Sequence, residues 1–245
     1  MIVKMRLMKI DDNNKFLYYW ILFLIVFLFT WWSNPSLTPS TSPDTSEYLS
    51  VAKDFSDPGS EIRPIFYPLF IRLCMVISAN HWGEIVIAIQ MILHSCMILF
   101  LFKLYIKHNI SRVFAFIFSL AIGFNPNLLL YSSKLLPQQF LGVLVALSFY
   151  YAWRLMEVWD DNLWYNNKYL YLTGIFSGLA LITKPAWLLG IFPVIMSIMI
   201  IKNISTKSVR ISIFLLIIHF LPNTMWQQYK KAFDNERVYG IDGNK

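Results

Sequence analysis

From Phe16 to Ser33 the chain carries no charge and almost nothing but aliphatic and aromatic side chains. Such a run is close to the ~20 residues that an α-helix needs to cross the hydrocarbon core of a bilayer. A cleaved secretory signal is the competing reading. The run is longer than the roughly 7–15 residues of a signal h-region, however, and no small-x-small cleavage site follows it. It therefore reads as a retained first span, and Lys4, Arg6, Lys9 and Lys15 ahead of it place the N-terminus in the cytoplasm.

The rest of the chain has the same character. Of its 245 residues, 57% are hydrophobic and 14% charged, against roughly 45–50% and 25% in a soluble domain. The expected fold class is all-α, a polytopic membrane protein of about seven transmembrane helices. Further spans fall near residues 84–106, 112–131, 136–155, 169–183, 186–201 and 210–225. Lys103, Lys107 and Arg112, then Arg154 and Lys168, then Lys202, Lys207 and Arg210 alternate with short turns holding only Lys134 and Lys184. That is the positive-inside pattern. The net charge of +7 is spread between apolar runs and forms no stripe, which excludes a nucleic-acid surface. The whole chain reads as one membrane-embedded module: first span 16–33, outer loop 34–82, six further spans over 84–225 and an outer tail 226–245.

The outer loop is the longest polar interval before the tail. Thr38 to Ser46 is rich in Ser, Thr and Pro and reads as an irregular lead. Asp44 and Glu47 have the spacing of a capping box, in which Asp44 accepts from a backbone N–H and Glu47 reaches back. Tyr48, Val51, Ala52 and Phe55 then recur at helical spacing. This predicts a short amphipathic helix lying on the bilayer surface. Pro64 to Ser78, interrupted by Arg72, predicts a helix that dips into the outer interface. Asp44 thus sits just outside a membrane, as an N-cap or as a general base; a capping geometry that holds a carboxylate still serves both.

An Asp soon after the first span, a Tyr48-Leu-x-x-Ala helix and Arg63-Pro-x-x-Tyr67-Pro-Leu resemble the C-type, multi-spanning glycosyltransferases. That family includes the dolichyl-phosphate-mannose protein mannosyltransferases and the aminoarabinose transferases of lipid A. The resemblance implies that Asp44 is the catalytic residue and that the donor is a polyprenyl-phosphate sugar. Gly178-Leu-Ala-Leu-Ile-Thr-Lys184-Pro is similar to the family segment that sets a cation opposite the lipid phosphate. An intramembrane or interfacial cation at a short turn is a functional candidate in its own right, with a snorkelling lysine as the plain alternative. Arg63 is the second candidate, because a guanidinium holds phosphate oxygens bidentately. Arg72 and Lys134 are weaker candidates for that task. Tyr67, Glu47 and Gln138 complete the expected substrate-binding set. Where family members often carry an acid at the start of the fourth span, this chain has Gln138, which hydrogen-bonds but is neither a base nor a strong metal ligand.

Other residues read as structural. His94 and His219 are interior histidines in apolar spans. Cys74 and Cys96 form neither a disulfide framework nor a metal site, and the tryptophans near helix ends form an aromatic belt. No glycine-rich phosphate loop is present, which excludes a soluble nucleotide-sugar domain. The resulting expectation is a glycosyltransferase of the bacterial cytoplasmic membrane. It would move sugar from a polyprenyl-phosphate donor to a lipid, glycan or protein acceptor on the outer face, with a divalent metal left open as cofactor. A transporter of lipid-linked saccharide or a non-catalytic subunit is the alternative. The resemblance covers nearly the whole chain but only the N-terminal half of the family's length, so the expectation is either a truncated product or a site completed by a partner chain or a second copy, with the tail partly disordered.

Overall fold

The computed structural model describes residues 12–54, 64–159, 165 and 167–238, with the backbone alone for 12–16 and 232–238. Among these residues the fold is all-helical, and the one extended pairing is an isolated parallel bridge between Ser40 and Lys134. The helices are α1 (Asp12–Ser33), α2 (Thr45–Lys53), α3 (Phe66–Ile77), α4 (Trp82–Lys107), α5 (Arg112–Gly123), α6 (Pro126–Ser132), α7 (Gln138–Glu157), α8 (Lys168–Leu181), α9 (Ile191–Ile201) and α10 (Thr206–Val238). A single 3-10 turn, Pro185–Trp187, joins α8 to α9.

Local chemistry accounts for the boundaries. Asn125 accepts from the amides of Asn127 and Leu128 while Pro126 occupies the first turn, so a new helix starts there. The residue before a proline is pushed out of the helical region, which breaks what reads in sequence as one span over 112–131. α5 and α6 are accordingly bent by 58°. Asn167 caps α8 in the same manner through the Tyr169 amide. Asn109 and Asn203, just past α4 and α9, take left-handed φ values of 60° and 59°, the conformation that closes helix C-termini and that asparagine tolerates.

Among the described residues three helices, Trp82–Lys107, Gln138–Glu157 and Thr206–Lys231, are long and apolar enough to cross a membrane, and the bent α5–α6 pair makes a fourth if it counts as one span. This is consistent with an integral membrane protein. Leu17–Ser33, Phe66–Ile77 and Pro185–Ile201 are apolar but shorter. The outward faces carry Leu24, Leu28, Val113, Ile117, Ile217 and Leu221, a perimeter that water would penalise and lipid would not. α10 also continues through the stretch from 226 that the sequence reads as a tail. Trp226 is buried and stacked on Tyr229, and the helix runs to Val238; residues 239–245 lie outside the described residues.

The packing forms three clusters. One joins α1, α4 and α5 around Leu22, Val26, Ile98 and Ala115. A second joins α2 and α3 to α4 and to Leu135 and Leu136. The third joins α7 to α10 around Leu155, Leu170, Ile195 and Leu215. α8 runs antiparallel to α7, with Ser148 bonded to the Thr173 carbonyl and Arg154 to Tyr169. It lies parallel to α10, where Gly174 and Gly178 face Ile218 and Pro222.

Candidate functional site

The end of the bundle that carries Asp44 is assembled from connectors far apart in sequence. The Ser40 amide donates to the Ser133 carbonyl at 2.9 Å, and the Leu135 amide donates to the Ser40 carbonyl at 3.1 Å. Thr45 fastens the start of α2 to the same place: its hydroxyl accepts from the Ser42 amide at 2.9 Å and lies 3.4 Å from the Leu135 carbonyl. Asp44 occupies the N-cap position but has helical φ and ψ (−74°, −18°), and its side chain makes no capping hydrogen bond. The capping box expected of Asp44 and Glu47 therefore does not form. Thr45 organises this turn instead, because the Ser42 amide reaches its hydroxyl. Asp44 and Glu47 are both half-buried. α2 buries Thr45, Tyr48, Val51 and Ala52; Phe55, Asp57, Glu61 and Arg63 lie outside the described residues.

Tyr67, expected to meet substrate, is an internal strut. It is 0% exposed, stands edge-on to Tyr48 with centroids 5.4 Å apart, and donates its hydroxyl to Gln90 Oε1 at 2.8 Å. Gln90 Nε2 in turn donates to the carbonyls of Ser132 (3.1 Å) and Lys134 (2.8 Å). α3 is thereby tied through α4 to the connector that holds Ser40. Burial first, then the neighbouring Tyr48 and Cys74, pushes the Tyr67 phenol well above its ordinary pKa, so it stays a donor. Arg72 donates to the Lys53 carbonyl at 3.1 Å, closing α2 onto α3. Lys134 lies 5.9 Å from the centre of the Tyr131 ring.

Lys184 is half-buried at the head of the 3-10 turn. The Phe66 amide donates to the Ile182 carbonyl at 3.2 Å, which brings the start of α3 beside this turn. Phe140, on the first turn of α7, packs against Phe66, Tyr67 and Phe70. Below the turn, Trp187 Nε1 donates to Ser177 Oγ (3.4 Å), Ser177 Oγ lies 2.8 Å from His219 Nδ1, and His219 Nε2 lies 3.3 Å from the Leu188 carbonyl. A set in which Ser177 donates to Nδ1 and Nε2–H donates to Leu188 satisfies every partner. His219 is thus an internally bonded histidine that clasps the Lys184 turn to α8 and α10.

The structure gathers the Asp44 and Lys184 segments at one end, linked through 132–140 and the head of α3. Gln138 opens α7 on the same connector, and its Oε1 is buried with no hydrogen-bond partner among the described residues. A buried acceptor left open is rare and marks a place where a further donor fits. Among the described residues no three His, Cys, Asp or Glu side chains gather as a metal site, and Gln138 is a poor ligand. Gln90, Phe140 and Ser177 were not part of the expected site. Gln90 stands out in sequence as an amide in an apolar span, but its partners, more than 20 residues away, leave no local signal. Compared with known proteins, the chain matches no family model, no curated protein and no solved structure.

Proposed function

We propose that the chain is a membrane glycosyltransferase, resembling the C-type family, that uses a polyprenyl-phosphate sugar at the end of the bundle holding Asp44 and Lys184. The observation that carries the reading is that the segments bearing Asp44, Gln138 and Lys184, far apart in sequence, meet at that end through Leu135, Phe140 and Phe66, with Asp44 and Lys184 each half-buried. Asp44 takes the proton of the acceptor hydroxyl, whose oxygen attacks the anomeric carbon. The bond from that carbon to the phosphate oxygen breaks, its electron pair leaves with the lipid phosphate, and Lys184 with Arg63 stabilises the developing charge. A single base opposite a phosphate leaving group gives inversion.

In this reading the chain crosses seven times, with the shorter apolar helices α1, α8 and α9 joining the longer ones. α2 lies on the outer surface, and the N-terminus and the cation-rich end stand in the cytoplasm of a bacterium. A transporter would use polar groups near the bilayer midplane to line a path. Gln90 and His219 are hydrogen-bonded to protein groups through both polar ends, and His94 through Nε2 while its Nδ1 is buried without a partner among the described residues; the two satisfied side chains favour catalysis over transport. The test is transfer from radiolabelled polyprenyl-phosphate sugars by purified protein, alone and with membrane extract supplying a partner chain. Asp44→Asn is expected to abolish transfer with insertion and unfolding temperature unchanged. Lys184→Gln is expected to lower it at least tenfold. Wild-type turnover by Asp44→Asn overturns the assignment.

A further inference from the structure

Away from the Asp44 end, α1 and α4 enclose a lateral cavity of about 510 Å³, lined by Tyr19, Trp20 and Phe23 from α1 and by Cys96, Leu99 and Lys103 from α4. The spacings 96, 99, 103 and 19, 20, 23 each draw one strip along one helix face, so the cavity runs with the helix axes. Its walls are apolar except at the inner end, where Lys103 stands exposed. Lys103 has no acidic partner among the described residues, and the nearby carboxylate of Glu157 is already engaged by Lys107 (2.6 Å) and Arg154. On the other side of Tyr19 a smaller cavity of about 30 Å³ is lined by Tyr18, Phe102, Ile106 and Arg112. Nη1 of Arg112 is buried without a hydrogen-bond partner among the described residues, and Arg112 does not line the groove that ends at Lys103. An ammonium without an acidic partner at the end of an apolar groove is a place where an anionic group fits.

We infer that this groove holds one acyl chain of an anionic phospholipid, with its phosphate at the inner end on Lys103. The volume lies within the roughly 300–1,000 Å³ of ordinary ligand sites. The apolar length suits a chain and the Lys103 ammonium suits a headgroup phosphate. Trp20, Leu24 and Leu28 flank the opening as exposed apolar residues, so the occupant comes from the bilayer side.

The experiment uses the purified chain in non-ionic detergent with phosphatidylglycerol or phosphatidylcholine of identical chains added back. Retained lipid is counted by native mass spectrometry, and unfolding temperature is recorded in parallel. Wild-type protein is expected to retain phosphatidylglycerol at least tenfold over phosphatidylcholine and to gain unfolding temperature from it alone. Lys103→Gln should bring that preference towards unity, and Leu99→Trp should remove retention by filling the groove. Lys103 is exposed, so its single variant folds and keeps the test decisive if Leu99→Trp does not fold. Equal retention of the two lipids, or an unchanged preference in Lys103→Gln, overturns the site. A stabilisation by glycerol phosphate equal to that by phosphatidylglycerol overturns the lipid assignment in favour of a soluble anion.

Discussion

Tyr67→Phe removes one hydroxyl and nothing else from the node that ties α3 to α4 and to the Ser132–Lys134 connector. The ring keeps its place against Tyr48, so the loss is confined to the hydrogen bond to Gln90 Oε1 at 2.8 Å. Gln90 is 0% exposed, and its amide oxygen then has no partner, which is expected to destabilise the fold by about 1–3 kcal/mol. Gln90→Leu strips the Tyr67 hydroxyl and the carbonyls of Ser132 and Lys134 at once and is expected to exceed the Tyr67→Phe effect. In the double variant the two losses share one bond, so they should fall short of additivity by about 0.5–3 kcal/mol. Interhelical bonds inside bilayers average only about 0.6 kcal/mol, so a coupling near that value would place the node at membrane depth. The assay is denaturant unfolding in detergent, followed by tryptophan fluorescence. pH supplies an independent reading. The folded-state pKa of Tyr67 is raised by burial, so its contribution is intact below the unfolded value of about 10 and is lost as pH rises beyond it. That alkaline loss should be smaller in Tyr67→Phe. Strict additivity of the two substitutions, or identical alkaline profiles, would refute the node.

Gly174→Ala would set a Cβ 2.7 Å from Ile218 Cγ2, and Gly178→Ala one 3.0 Å from the Ile218 carbonyl; each should cost about 1–3 kcal/mol in the same assay. Gly142→Ala meets only the flexible sulfur of Met97 at 3.2 Å and should stay within about 1 kcal/mol. Ser177→Ala leaves Trp187 and His219 each short of a partner, so it should destabilise by about 1–3 kcal/mol and loosen the Lys184 turn, read as faster amide exchange at 184–190. Glu157→Gln, at a partly exposed ion group, should shift stability by less than about 1 kcal/mol, and less still at high salt.

What could be read from the linear chain is what depends on neighbours in sequence. Apolar runs between turn residues gave helices at nearly the expected places, because helical hydrogen bonds close over four residues and hydropathy is a sum over side chains. Asn125-Pro126 lies inside an apolar run that reads as one span over 112–131, and the break there, like the close approach of Gly174 and Gly178 to Ile218 and Pro222, came from the structure. The candidate site was legible only as residue types. Whether Asp44 caps its helix was decided by the Thr45 hydroxyl and the Ser133–Leu135 strip beside it. Whether Tyr67 faces a ligand was decided by Gln90, and whether Lys184 lies near the first loop was decided by a bond between Phe66 and Ile182. Each is a contact between segments tens of residues apart or a choice among competing hydrogen-bond partners. Local sequence does not rank such choices, because every donor and acceptor has the same chemistry until packing decides which of them meet.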